Sequence, residues 1–236
     1  MICKVADLFV SVPEGGGLDK RCEGYLAEDS AVANIIIKEE NYKSEQWQGL
    51  VGDDLAYMDS GWQFHVGLMK NGGIMLHSSA IVVDGRAYLF SGPSGMGKST
   101  HTRLWQELFP DAVVINDDKP ALRKIDGVWY AYGTPWCGKD GINRNMRAPV
   151  AGICFLRRGT ENKIRRLRPI EAVSAVMSQT LSRCGSVEAL DILTGIIDRL
   201  VCDLPIYELY NRPELDAARL SYETMSGVEL EKKNED

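Results

Sequence analysis

Apolar positions fall into short runs through the first two thirds of the chain and into helical stripes in the last third. Residues 1–57 read as short strands, KVADLFVSV and AVANIIIK, separated by the turn-prone stretch PEGGGLD. In DSGWQFHVGLMKNGG, Trp62, His65 and Met69 recur at helical spacing, and Gly72-Gly73 mark where that helix should stop. The runs IMLHSSAIVV and RAYLFSG flank Asp84-Gly85, a pair that in this setting predicts a two-residue hairpin turn. The same device recurs at Asp126-Gly127, in PALRKI-DG-VWYAYG.

Helices dominate the C-terminal half. Pro169 predicts a helix start, with Val173, Met177 and Leu181 on one stripe. Ser186 predicts the N-cap of a second helix, with Leu190, Leu193, Ile197 and Leu200 on its apolar face. A strand IYELYN and a helix PELDAARLSYETM follow, and the charged end GVELEKKNED predicts disorder. The expected organisation is a small β-rich region over 1–70 packed on a core, a main domain over 71–225, and a tail over 226–236.

The chemistry concentrates in GPSGMGKST, a complete match to G-x-x-x-x-G-K-[ST] with Gly92, Gly97, Lys98 and Ser99. An apolar strand enters this stretch and an amphipathic helix leaves it. Backbone N–H groups of Ser94, Gly95, Met96, Gly97 and Thr100, with the helix N-terminus, can curl around a phosphate. Lys98 can reach the outer phosphates, and the Ser99 hydroxyl is a ligand for Mg²⁺. In Ras-like and RecA-like nucleotide binders the strand feeding such a loop belongs to a parallel unit. Here it leaves a hairpin, so the fold predicted is an α/β P-loop domain with a mixed, largely antiparallel sheet.

Such a site needs a carboxylate near the metal. The β-branched run Ala112 to Ile115 ends in Asn116-Asp117-Asp118-Lys119, where one acid can serve Mg²⁺ and the other can take the proton of an attacking hydroxyl. A plain turn before Pro120 is the competing reading. His77 lies in a strand expected beside the loop strand and can approach the phosphates or an aspartate; a structural histidine is its alternative. His65 and His101 read as helix-packing residues. The loop GTPWCGKDGINRN carries Lys139 and Arg144, with Arg147 just beyond it, either as a closing loop with cations for the transferring group or as a turn with surface charges.

Composition narrows the picture little. The 236 residues are 44% hydrophobic and 25% charged, the ordinary globular mixture. A net charge of −6 argues against a nucleic-acid surface. The basic cluster Arg157, Arg158, Lys163, Arg165, Arg166 and Arg168 reads as a solvated face, with docking of an anionic substrate as its alternative. The six cysteines show no metal-ligand spacing, and no apolar run is long enough to span a membrane. Lys4 and Asp7 interrupt the first apolar stretch, so a cytoplasmic location is expected.

The order His77, hairpin, Walker A loop, then a strand ending in Asp117-Asp118 resembles the HPr kinase/phosphorylase family over about residues 74–170, with the phosphoenolpyruvate carboxykinases as more distant relatives. The resemblance implies that His77 is an active-site histidine, Asp117 a catalytic base and Asp118 a metal-side acid. Arg144, in INRNMRAPVAGICFL, is similar to that family's Arg-Asn element. The family's long C-terminal signature for binding HPr is not found, so the chain resembles the shorter HPr-kinase-like group, some of which modify peptides or metabolites. The implied activity is an ATP- and Mg²⁺-dependent kinase acting on a serine-like hydroxyl of a protein, peptide or metabolite, in a homo-oligomer. A nucleotide-binding switch or NTPase without an acceptor is the competing function; a second acid beside the metal-side one weighs against it.

Overall fold

The computed structural model describes residues 1–28, 30–180 and 186–230. Its elements begin with strands β1 (Ile2–Val5) and β2 (Leu8–Ser11), a short helix α1 (Leu18–Cys22) and strand β3 (Ile35–Ile36). Helix α2 (Gly52–Lys70) leads into β4 (Gly73–Met75), β5 (Ser78–Val83) and β6 (Arg86–Ser91). Helix α3 (Lys98–Leu108) precedes β7 (Val113–Asn116), β8 (Ala121–Ile125), β9 (Val128–Tyr132) and the long strand β10 (Arg147–Arg158). Then come β11 (Lys163–Arg166), α4 (Pro169–Gln179), α5 (Val187–Asp203), β12 (Ile206–Asn211) and α6 (Leu215–Ser226).

The fold is mixed α/β. A three-stranded sheet β1–β2–β3 stands beside a nine-stranded sheet ordered β4-β8-β9-β10-β6-β5-β7, with β12 on β10 and β11 on β12. The large sheet is antiparallel apart from β10, which runs parallel to both β6 and β12. Both predicted DG turns are present. Asp84-Gly85 (φ 49° and 72°) joins β5 to β6, and Asp126-Gly127 (φ 49° and 84°) joins β8 to β9. Positive φ at both central residues matches the right-handed twist of the flanking strands.

Strand alternation explains the layers. Ala80, Val82, Ala87, Leu89, Ile153 and Phe155 face one side, where α4 and α5 contribute Val176, Leu193, Ile197 and Leu200. Their neighbours Ile81, Val83, Tyr88, Phe90, Cys154 and Leu156 face the other, against Trp105 of α3 and Ala218 and Tyr222 of α6. Strands covered on both faces read as unbroken apolar runs, which is how β5 and β6 appear in the sequence. A further cluster joins β1, β2, α1 and α2 to Met75, Ala121, Tyr132 and Trp136, with Phe64 stacked on Trp136 at 4.4 Å. The N-terminal region therefore packs against the β4–β8–β9 end of the sheet.

Several expectations need revision. KVADLFVSV is a hairpin and not one strand, because Ala6 (φ 53°) and Asp7 (φ 58°) turn the chain and pair Val5 with Leu8. Of AVANIIIK, only Ile35–Ile36 pairs. IMLHSSAIVV is two strands, with β4 against β8 and β5 against β6 and β7, so His77 sits at the crossing between them. Helix α2 starts earlier than its apolar stripe, and Leu190 is 43% exposed on α5. Ser186 does cap α5, accepting from Ala189 N–H at 3.1 Å. Of the expected tail, Ser226 ends α6, Gly227 (φ 75°) turns the chain, and Leu230 N–H donates to Glu223 at 3.0 Å. Leu181, Cys184 and the rest of the tail lie outside the described residues. Among the described residues no helix is long and apolar enough to cross a membrane.

Candidate active site

The loop after β6 is shaped by backbone conformations that favour glycine. Gly92 (φ 146°), Gly95 (φ 76°) and Gly97 (φ 99°) all have positive φ, and Gly97 occupies the N-cap position of α3. A side chain at Gly92 would also crowd the Leu156 carbonyl of β10 at 3.3 Å. Lys98 is folded back onto the loop, its Nζ donating to Gly92 O at 2.9 Å. Burial pulls its pKa below the ordinary lysine value, against the nearby Asp118.

Strand β7 delivers the acid pair. Its last residue, buried Asn116, shapes the turn: the side-chain oxygen accepts from the N–H groups of Asp118 (2.9 Å) and Lys119 (2.7 Å), and the amide donates to Thr134 O (3.0 Å). The serines opening β5 fix the turn to the sheet. Ser78 N–H donates to Asp118 O at 2.9 Å and the Ser79 hydroxyl to Asp117 O at 3.2 Å. The Ser91 hydroxyl at the end of β6 donates to His77 O at 2.8 Å, and His77 N–H to Gln179 O at 2.8 Å. These buried hydroxyls and amides are satisfied by the segments that carry the titratable groups.

The two acids differ in environment. Asp118 Oδ2 pairs with Lys119 Nζ at 2.7 Å and accepts from the Tyr57 hydroxyl at 3.0 Å, while Oδ1 lies 3.3 Å from His77 Nε2. Burial is the largest influence on this carboxyl and pushes it up, but Lys119, His77 and Tyr57 together outweigh it and hold the pKa below the ordinary value. Asp117 accepts from Gly138 N–H through Oδ1 at 2.6 Å. Burial raises its pKa, the negative neighbours Asp118 and Asp140 add to the rise, and the Gly138 hydrogen bond opposes it. His77 is pulled down by burial and then by Lys98, against Asp118, and its Nδ1 faces the Gln179 side-chain amide at 3.2 Å.

These groups share one cleft of about 1250 Å³, lined by Ser94, Gly95, Gly97, Lys98, Ser99 and Thr100 from the loop together with His77, Asp117 and Asp118. Gly92 and Met96 do not line it, and Met96 packs instead against the core beneath α3. Arg144 does not line it either; its backbone N–H bonds Ile115 O and its side chain is exposed. Arg147 pairs with Asp7 and covers the Tyr130 ring, whereas Lys139 does line the cleft. His65 and His101 are buried helix residues; His65 Nδ1 accepts from Met75 N–H, and His101 Nε2 meets the Ser221 hydroxyl.

Sequence reasoning missed the opposite wall, which comes from the N-terminal region. Lys20, Arg21, Asp53, Asp54 and Tyr57 line it, and Arg21 lies over the Tyr57 ring at 4.7 Å while donating to Cys137 O at 3.2 Å. No local signal marks Arg21 or Tyr57, because the groups to which they donate hydrogen bonds stand 61 to 116 positions away.

Among the described residues no group of three or more His, Cys, Asp or Glu side chains could hold a metal by itself. A nucleotide-borne Mg²⁺ needs only one or two protein oxygens, because phosphates and waters complete its octahedron. Ser99 and Asp118 line the same cleft and fit that requirement.

No family model matches the sequence, and no curated protein matches it. Among solved structures, the HPr(Ser) kinase/phosphatase from Coxiella burnetii is similar at 10% identity, with a TM-score of 0.36, over 65% of this chain and 93% of that one. So distant a likeness carries no argument about this chain's chemistry.

Proposed function

We propose that the chain is an ATP- and Mg²⁺-dependent phosphotransferase that moves the γ-phosphoryl group to a hydroxyl on a protein, peptide or metabolite. The observation that carries this reading is that one cleft gathers the glycine-shaped loop, Lys98, Ser99 and the adjacent acids, with surroundings that favour the protonated form of Asp117 and the ionised form of Asp118. Two neighbouring carboxylates pushed apart in this way have different tasks. Asp117, less encumbered and more basic, takes the proton of the acceptor hydroxyl as its oxygen attacks the γ-phosphorus and the bond to the bridging oxygen breaks, leaving a nucleoside diphosphate.

The loop amides of Gly95 and Gly97 hold the phosphates, and Lys98 Nζ leaves Gly92 O to reach the outer oxygens. Ser99 and Asp118 would hold Mg²⁺, which, when bound, offsets the charge developing on the transferring group. His77, whose Nε2 stands 3.3 Å from Asp118 Oδ1, steadies that oxygen. Tyr57 and Lys119 fix the other oxygen.

The competing reading is an NTPase or switch that uses water alone. Incubation with γ-labelled ATP, Mg²⁺ and a panel of serine-terminated peptides, proteins and free serine separates the two. Label on an acceptor with the wild type, and none with Lys98→Ala, supports transfer. Free phosphate as the sole product, formed equally by Asp117→Ala, refutes it.

A further inference from the structure

Strand directions order the groups along one edge of the large sheet. Because β5 is antiparallel to both β6 and β7, β7 and β6 run the same way, and β10 and β12 run parallel to β6. The C-terminal ends of β7, β6, β10 and β12 therefore open on a single edge, with His77 at the start of β5 between the first two. Read across that edge, the order is acid pair, His77, loop, the end of β10, the end of β12. Crevices outside the carboxyl ends of such strands are where ligands settle in α/β sheets.

If the γ-phosphate faces Asp117, as proposed above, the nucleoside must leave the loop on the opposite side. There Arg158, the last residue of β10, donates from Nη2 to the Gly95 carbonyl at 3.2 Å. It is exposed and, among the described residues, has no carboxylate within ion-pair distance, unlike Arg157, Arg165 and Arg168 of the same basic cluster. Beyond it lies a hollow of about 500 Å³ lined by Arg158, Gly159, Thr160, Glu161, Lys163 and Tyr210. Tyr210, which lines it, is 42% exposed. Two strand spacings, roughly 10 Å, separate β6 from β12, so the hollow lies within reach of a nucleotide anchored on the loop.

We propose that this hollow receives the nucleoside of the bound nucleotide, with Arg158 against the phosphate nearest the sugar and Tyr210 offering a face to the base. The assignment rests on the phosphate-binding reading of the loop and adds the direction in which the nucleotide lies. An aromatic face accepts either purine, so ATP and GTP should bind comparably.

The test compares ATP, GTP and inorganic triphosphate, each with Mg²⁺, by calorimetric titration into wild type, Tyr210→Ala and Tyr210→Phe. Stacking on an aromatic ring is typically worth enough that Tyr210→Ala should weaken ATP about tenfold. Triphosphate affinity should stay unchanged, and Tyr210→Phe should retain ATP affinity. An unchanged ATP affinity in Tyr210→Ala, or an equal loss for triphosphate, overturns the assignment while leaving the loop reading intact. Wild type that binds neither ATP nor triphosphate overturns the loop reading itself, and this inference with it.

Discussion

Replacing Asp117 by asparagine should separate binding from turnover. Asparagine keeps an amide oxygen where Oδ1 accepts the Gly138 N–H at 2.6 Å, so the turn and the 138 loop are preserved. What disappears is the proton-accepting carboxylate. Loss of a positioned general base costs about 10²–10⁴ in rate, or roughly 2.7–5.5 kcal/mol in the barrier. Stability should move the other way. Because the folded-state pKa of Asp117 is raised, chiefly by burial, its contribution to stability is present below the unfolded pKa and is lost as pH rises through the folded one. Asparagine never ionises and escapes that loss, so the variant should melt at or above the wild-type temperature at pH 7. In the wild type, transfer should fall as pH drops through the raised Asp117 pKa, above the ordinary carboxylate value of about 3.9. Single-turnover transfer, nucleotide titration and calorimetric melting together test this. Near-normal transfer by Asp117→Asn would show that another group takes the proton.

Asn116→Ala removes the acceptor of two backbone N–H groups in a buried turn, at a cost of about 1–3 kcal/mol, and should lower both melting temperature and transfer; a variant that loses neither would exclude the turn as the device that sets the acids. Ser221→Ala strands the His101 ring and the Trp105 indole N–H, which share its hydroxyl at 3.0 and 2.9 Å; none of the three lines the cleft. It should cost about 1–3 kcal/mol, about 2–4 °C per kcal/mol by calorimetry, with nucleotide binding intact. Asp118, whose folded-state pKa is lowered, contributes stability that is present above the unfolded pKa and is lost as pH falls through the folded one. Tyr57→Phe removes one of the groups that lower it, so urea midpoints followed below about pH 4 should fall less steeply in the variant than in the wild type.

The turns that glycine specifies were legible: both DG hairpins and the loop at Gly92–Gly97 sit where their residues predict. The Ala6-Asp7 hairpin was not, because no glycine follows Asp7 to mark the turn. The apolar runs of β5 and β6 read correctly as strands, yet IMLHSSAIVV hides a crossing at His77, since both halves are buried and no breaker separates them. The parallel pairing of β6 with β10 spans some sixty residues and leaves no periodic trace. That pairing brings Arg158, and not Arg144, to the loop. The Tyr57 wall was invisible for the same reason, since long-range contacts decide it.

Calorimetric titration of Mg-ATP into the wild type and Lys98→Ala tests the central claim most directly. One nucleotide should bind each chain, and the loss of the loop lysine should weaken it sharply while leaving the melting temperature of the protein alone little changed. Wild type that takes up no nucleotide, or a Lys98→Ala variant that binds it equally well, would contradict a phosphate site at this loop.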